Sequence, residues 1–241
     1  MSGRSLRDNS IQRTSLSREA YRALRSAILN RELAPGSKVS VRPLSEALGL
    51  SPTPIKEALL ALEREGLVTA ITNRGYYVPT FGAIDVPEIY ELREALESLS
   101  ARLAVRRGDP ALPAKLNALL KEQRSCARHE DLEHYGDLDL EFHRALWEAS
   151  GNRRLVQTAE TLAGQLRLLI STSAIVPGRL DASLAEHGEI IDSVKEGKEA
   201  RAARAMSKHV QRAGQALAAH LERTESGFEG DGRATIDKAE A

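Results

Sequence analysis

Apolar residues begin to recur at helical spacing after Ser17: Ala20, Tyr21, Leu24, Ala27 and Ile28 fall on one side of a helix. Ser17 is a natural N-cap and Pro35-Gly36 a natural stop, which brackets this first helix. A second, shorter helix is predicted from about Arg42 through Ala47, ended by Gly49. The third enters through Ser51-Pro52-Thr53-Pro54, since proline suits a first turn where the amide has no helical partner. It continues through Ile55, Ala58, Leu59 and Leu62 to Gly66. The period then changes. Two β-prone runs, Leu67–Ile71 and Tyr76–Pro79, flank Thr72-Asn73-Arg74-Gly75 and predict a small hairpin.

Everything beyond is helical in pattern. Helices are predicted at about 85–107, 111–129, 131–149, 152–173, 180–196 and 198–222, with breaks at Gly108-Asp109-Pro110, Gly151-Asn152, Pro177-Gly178 and Gly197. Residues 1–14 are polar, Arg-rich and aperiodic, and read as a disordered basic arm; residues 223–241 read as a disordered tail. The expected organisation is an N-terminal helix-and-hairpin domain over 15–80, a linker over 81–87 and a helical domain over 88–222. The fold class is therefore mostly α: a winged helix-turn-helix with a β-hairpin wing, followed by an all-α bundle.

Composition narrows the classes. Aromatic residues make up only 4% of the 241, so Leu, Ala and Val must fill the cores, which favours packed helices. No apolar run reaches the length of a membrane span, and the N-terminus lacks the apolar stretch of a signal peptide. A single cysteine, Cys126, fits a reducing cytoplasm and reads as a small packing residue rather than a redox sensor. The formal charge is zero, but residues 1–80 carry twelve Lys/Arg against seven Asp/Glu, and the remainder carries the matching acidic excess. That asymmetry points to a polyanion partner at one end of the chain.

Helix, short helix, tight turn, helix and hairpin is the order of a winged helix-turn-helix, in which the third helix enters the major groove. The run Leu33-Ala34-Pro35-Gly36-Ser37-Lys38-Val39, then Leu44-Ser45-Glu46-Ala47-Leu48-Gly49, then Ser51-Pro52-Thr53-Pro54-Ile55-Lys56-Glu57-Ala58-Leu59, then Leu62-Glu63-Arg64-Glu65-Gly66-Leu67-Val68 resembles the GntR family of bacterial regulators over about 16–80. The resemblance implies operator contacts from Arg42, from Ser51, Thr53 and Lys56, and from the wing glycine Gly75. Pro52 and Lys56 depart from the family pattern, where arginine is frequent at both positions. Lysine lacks the bidentate fork of a guanidinium, and Pro52 cannot donate a side-chain hydrogen bond. On the residues alone, Ser51 and Thr53 serve equally as helix caps, and Arg64 and Arg74 as solvated or phosphate-positioning cations.

The helical part holds one constellation with chemical content. Asp139 and His143 are four residues apart, about 400° round a helix, so they share a face. Glu186-His187 and Lys208-His209 follow on later helices. Three imidazoles and a carboxylate suit Zn²⁺, Mn²⁺ or Ni²⁺ if the bundle brings them together; spacing alone fits core or surface histidines as well. His129 and His134, five apart, fall about 140° apart on a helix and cannot ligate jointly. His220 reads as solvated, and Trp147 and Leu146 as core. The segments Asp139 to His143, Gly151-Asn152, Glu186-His187-Gly188-Glu189-Ile190 and Met206-Ser207-Lys208-His209 resemble the FCD effector domain over about 88–215. That resemblance implies a divalent metal, zinc first, held by Asp139, His143, His187 and His209. It also implies a small organic acid received beside it, with Arg93 as its anchor. Arg93 has a second reading, a salt bridge to Glu97 four residues on.

The function expected is a cytoplasmic, homodimeric transcription regulator, a repressor, that reads a short inverted repeat and responds to a carboxylate metabolite at a metal-containing pocket. It has no catalytic residues and no membrane partner. The alternatives are a regulator that senses the ion itself and, further off, a metal-dependent hydrolase with Glu186 as base.

Overall fold

The computed structural model describes the backbone of residues 6–82 and 84–231. The chain divides into two compact units, 1–80 together with 162–168, and 81–161 together with 169–241.

In the first unit, α1 spans Leu6–Leu29, α2 Val41–Leu48 and α3 Pro52–Glu65. The helix α1 starts well before the expected cap at Ser17, so residues 6–14, expected as an arm, are helical; residues 1–5 lie outside the described ones. The reason is local: no glycine or proline interrupts the chain between Leu6 and Leu29, and an internal serine does not end a helix by itself. Ala20, Leu24, Ile28 and Leu29 of α1 bury against Ile55, Ala58, Leu59 and Leu62 of α3, closed by Leu67, Val68 and Val78. Gly49 and Gly66 end α2 and α3 in the left-handed conformation, at φ 63° and 79°, where a side chain would be strained.

The wing has three strands rather than the expected two. The strands β2 (Thr69–Ile71) and β3 (Gly75–Tyr77) pair antiparallel around Asn73, itself at φ 60°. The third, β1 (Lys38–Val39), pairs with β3, Lys38 opposite Tyr77 and Val39 opposite Tyr76, giving the order β1-β3-β2. Two residues between a turn and a helix are too short to show a period of two. Only the partner strand makes them a strand.

In the second unit lie α4 (Asp85–Arg107), α5 (Leu112–Arg128), α6 (Leu132–Ala149), α8 (Arg179–Lys195) and α9 (Glu199–Asp231), with most of α7 (Arg153–Ala174). The helix α4 covers the predicted 85–107, overlapping the end of the segment expected as linker; Asp85 accepts from the Gly82 amide at 2.8 Å and Val86 is fully buried. The helix α9 runs on to Asp231, into the segment expected as tail; residues 232–241 lie outside the described ones. It packs on α4 and α8, α6 packs on α4 and α5, and α5 also meets α8. Leu116, Phe142, Leu146, Ile190, Met206, Val210 and Leu217 are among the core residues, fully buried, with Cys126 and Tyr135 nearly so. Trp147 is fully buried as well.

Candidate functional site

The middle of the second unit's core is polar. Asp139 and His143 lie one turn apart on α6, His187 on α8, His209 on α9, and all four are buried. The three imidazoles each offer a nitrogen, and these atoms lie within 4.8 Å of one another. Ring centroids are 5.4 Å apart for His143 and His187, 5.2 Å for His143 and His209, and 4.8 Å for His187 and His209. Asp139 faces two of them, with Oδ2 3.7 Å from Nε2 of His143 and Oδ1 3.8 Å from Nε2 of His187.

The outward nitrogens decide what the inward ones can do. His187 Nδ1 donates to Gln123 Oε1 at 2.9 Å, and His209 Nδ1 donates to Glu186 Oε2 at 2.9 Å. His143 Nδ1 is 2.7 Å from Glu97 Oε2, although its N–H is not aligned for a proper hydrogen bond. At His187 and His209 the oxygen bonded at Nδ1 holds the proton there and leaves the lone pair on Nε2; at His143 the Arg93 guanidinium, 2.9 Å from Nε2, leaves the proton to Nδ1. Burial pushes His187 well below the usual imidazole range, with the neighbouring charges adding to it. Burial also lowers His209, against the upward pull of its hydrogen bond to Glu186. Neutral rings are the state that ligates a cation.

The supporting carboxylates stay ionised in spite of their burial. Burial would raise Glu97, but Arg93 and His143 hold it at about 2. Glu186 is likewise held at about 2 against desolvation, by hydrogen bonds from His209 and Arg179 and by the Arg179 charge. Phe142 stacks on His187, centroids 4.1 Å apart and planes 13° apart, which fixes the plane of that ring.

Arg93 forms the salt bridge expected of it. Its Nε bonds Glu97 Oε1 at 2.9 Å, and its Nη2 lies 2.9 Å from His143 Nε2. It also lines a cavity of about 20 Å³ with Tyr90, Tyr135, Asp139, Arg179 and His209. Tyr135 donates to Asp139 Oδ1 at 3.2 Å; burial and the Asp139 charge push its phenol well above its ordinary range.

The pattern reading missed Gln123, Arg179, Tyr90 and Tyr135, and saw Glu97 only as a partner for Arg93. A signal for Gln123 exists: it continues the buried stripe Leu112, Leu116, Leu120 on α5, where an amide has no reason to be unless something meets it. Arg179 pairs with Glu186, seven residues on, a spacing that no local helix rule flags. His129 and His134 are exposed, and His220 half-exposed.

The residues expected to read DNA all belong to the first unit. Arg42, at the start of α2, is 91% exposed in its side chain and bonds Glu46 at 3.1 Å. Ser51 is the N-cap residue of α3 by backbone conformation, but its hydroxyl makes no capping hydrogen bond. Thr53 and Lys56 are exposed on the first turns of α3, beside Glu57, which accepts from Ser17. Gly75 opens β3 at φ 101°, with Lys38 running beneath it.

Comparison with known proteins assigns the chain. Residues 16–78 match the bacterial regulatory proteins of the gntR family, and residues 88–212 match the FCD domain. An uncharacterised helix-turn-helix transcriptional regulator from an unstable DNA locus of Streptomyces ambofaciens is 34% identical, over 80% of this chain and 81% of its own. The transcriptional repressor RspR of Escherichia coli K12 is 26% identical, over 81% and 86%. Among solved structures, E. coli McbR/YncC shares the fold with a TM-score of 0.67 at 24% identity, covering 84% of this chain and 96% of that one. These relatives are regulators rather than enzymes, which sets the hydrolase alternative aside. No helix among the described residues is long and apolar enough to cross a membrane. The chain is a DNA-binding transcription regulator and belongs to the GntR family, with an FCD domain following its winged helix-turn-helix.

Proposed function

We propose that this regulator is a homodimeric repressor whose grip on operator DNA is set by a small carboxylate received beside a divalent metal ion in the FCD domain. The observation that carries the reading is the orientation of three buried imidazoles, each with an acceptor behind Nδ1 and Nε2 turned inward. His187 Nε2 is buried with no hydrogen-bond partner at all, an uncompensated cost that a cation would remove. Asp139, His143, His187 and His209 would hold the ion; nitrogen ligands with one carboxylate fit Zn²⁺ first, and Mn²⁺ or Ni²⁺ next. The ion would supply open coordination positions to a carboxylate oxygen. Arg93 would take the second oxygen, since a guanidinium donates parallel hydrogen bonds to a carboxylate. To do so it must leave His143 Nε2, so metal and Arg93 compete for one lone pair.

On the DNA side, Arg42, Ser51, Thr53, Lys56 and Gly75 would contact the operator. The idle Ser51 hydroxyl at a helix N-terminus supports a phosphate contact. For the dimer, Leu92 and Leu99 of α4 are exposed by 45% and 39%, with half-buried Leu96 and Leu103 between and beyond them. Steps of four, three and four make a heptad seam that a second copy would cover. Two readers on a two-fold axis would meet a short inverted repeat. The site of action would be the cytoplasm, where the operator is.

The test is metal content, then melting. Wild type should carry about one ion per chain, and His143→Ala with His187→Ala should carry none. Full retention in the double variant refutes the ligand set. An organic acid at about 100 times its Kd should stabilise the loaded protein by roughly 2.7 kcal/mol and the stripped protein much less.

A further inference from the structure

The cavity beside Arg93, Asp139 and His209, at about 20 Å³, has room for about one water. Acetate, with four heavy atoms to water's one, already exceeds it. A second cavity of about 250 Å³ lies between α4 and α9, lined by Pro87, Tyr90, Glu91, Glu94, Gln211 and Gln215 among others. Tyr90 belongs to both linings. It is buried, and its hydroxyl has no hydrogen-bond partner of proper geometry, although the Arg93 guanidinium sits 5.4 Å from the ring centroid. Behind the ring is Gly214, where a Cβ would come within 2.9 Å of the Tyr90 ring. Packing and the Arg93 guanidinium over its ring hold Tyr90 in place, with no well-formed hydrogen bond from its hydroxyl.

The larger cavity has its own chemistry. Its lining contains two carboxylates and no cation. Glu94 accepts from Ser207 Oγ at 2.7 Å and from Gln211 Nε2 at 2.9 Å, while Glu91 is exposed. Pro87, the Tyr90 ring, Gly214 and Ala218 form an apolar floor. On α4, the positions of Pro87, Glu91 and Glu94 lie roughly 150° round the helix from the leucine seam, so a partner on the seam leaves this groove open.

We propose that the two cavities are one ligand site partitioned by Tyr90, and that the effector is an elongated acid with a hydrogen-bond-donating or cationic far end. Its carboxylate sits at Arg93 and the imidazoles, its carbon chain takes the place Tyr90 vacates and lies on the α4–α9 floor, and its far end meets Glu91. The proposal rests on the carboxylate reading above and adds the ligand's length and polarity to it.

Acetate, hexanoate and 6-aminohexanoate are the probes, titrated by calorimetry into the metal-loaded full-length protein. Affinity should rise from acetate to hexanoate by about fourfold per buried methylene. The amino acid should bind tighter than hexanoate, and Glu91→Gln should erase that preference. Equal affinity for acetate and hexanoate overturns the joined site. A preference for hexanoate over 6-aminohexanoate, or one that survives Glu91→Gln, overturns the far-end assignment. Absence of binding by all three, acetate included, overturns the carboxylate reading itself.

Discussion

Gln123→Leu separates metal affinity from stability. Gln123 is fully buried; its Oε1 accepts from His187 Nδ1 at 2.9 Å, while its own Nε2 has no partner. Losing the acceptor leaves an imidazole N–H unsatisfied, which ordinarily costs about 1–3 kcal/mol. Two effects offset this. Leucine removes the orphaned amide nitrogen, and the ring can move its proton to Nε2, 3.8 Å from Asp139 Oδ1. Stability of the metal-free protein should then change by less than about 1 kcal/mol, a shift of no more than about 4 °C for a domain of this size. Metal affinity should fall all the same, because the proton now sits on the ligating nitrogen. The loss of an outer acceptor is typically worth about 10- to 100-fold, or about 1.4–2.7 kcal/mol. Chelator competition with zinc and a thermal melt by circular dichroism measure the two quantities on one sample. Gln123→Glu, which keeps an oxygen behind Nδ1, should restore most of the affinity. An unchanged metal affinity in Gln123→Leu, or no recovery with glutamate, would refute the role given to the outer acceptors.

Three other outcomes are expected. Arg42→Ala and Lys56→Ala should each weaken operator binding and lower its salt slope by about 0.9 per lost phosphate contact, read by fluorescence anisotropy from 50 to 200 mM salt; Glu46→Gln, which releases Arg42 from its 3.1 Å pair, should strengthen it. Leu99→Glu should place a charge on the α4 seam and shift the protein to monomer in sedimentation velocity, and a persistent dimer assigns the interface elsewhere. Desolvation first, and then its hydrogen bond to Glu65 at 2.5 Å, raises the Tyr21 phenol to about 12. The protonated phenol is favoured in the fold, so its contribution to stability is complete below pH 10 and disappears as pH climbs toward 12. The absorbance titration of wild type minus Tyr21→Phe should contain one phenol near 12, and a value near 10 contradicts the contact.

Periodicity located the helices because their apolar stripes are long, and the polar side chains of the site stood out where they shared a helix. Asp139 and His143 were legible as one face of α6; their meeting with His187 and His209 depends on how α8 and α9 pack, which no local spacing encodes. The wing's third strand was invisible for the same reason, two residues being defined by their partner. The helices α1 and α9 run on past their apolar stripes because polar composition does not by itself end a helix, and no glycine or proline stands between Leu6 and Leu29. Arg93 divides the same way: its pair with Glu97 was legible from a four-residue spacing, while its contact with His143 depends on how α4 packs on α6.

The ring of outer acceptors also bears on how the bundle finds a single packing. Glu97 comes from α4, Gln123 from α5 and Glu186 from α8, and they meet imidazoles on α6, α8 and α9. Leucine and alanine stripes tolerate a helix sliding by one turn, since another leucine arrives where the first one left. A polar layer does not: a slip of any of these helices strands a buried donor or carboxylate, at about 1–3 kcal/mol or more for each. The layer thus selects one helix register among many that the apolar core alone would accept, with or without any ligand present.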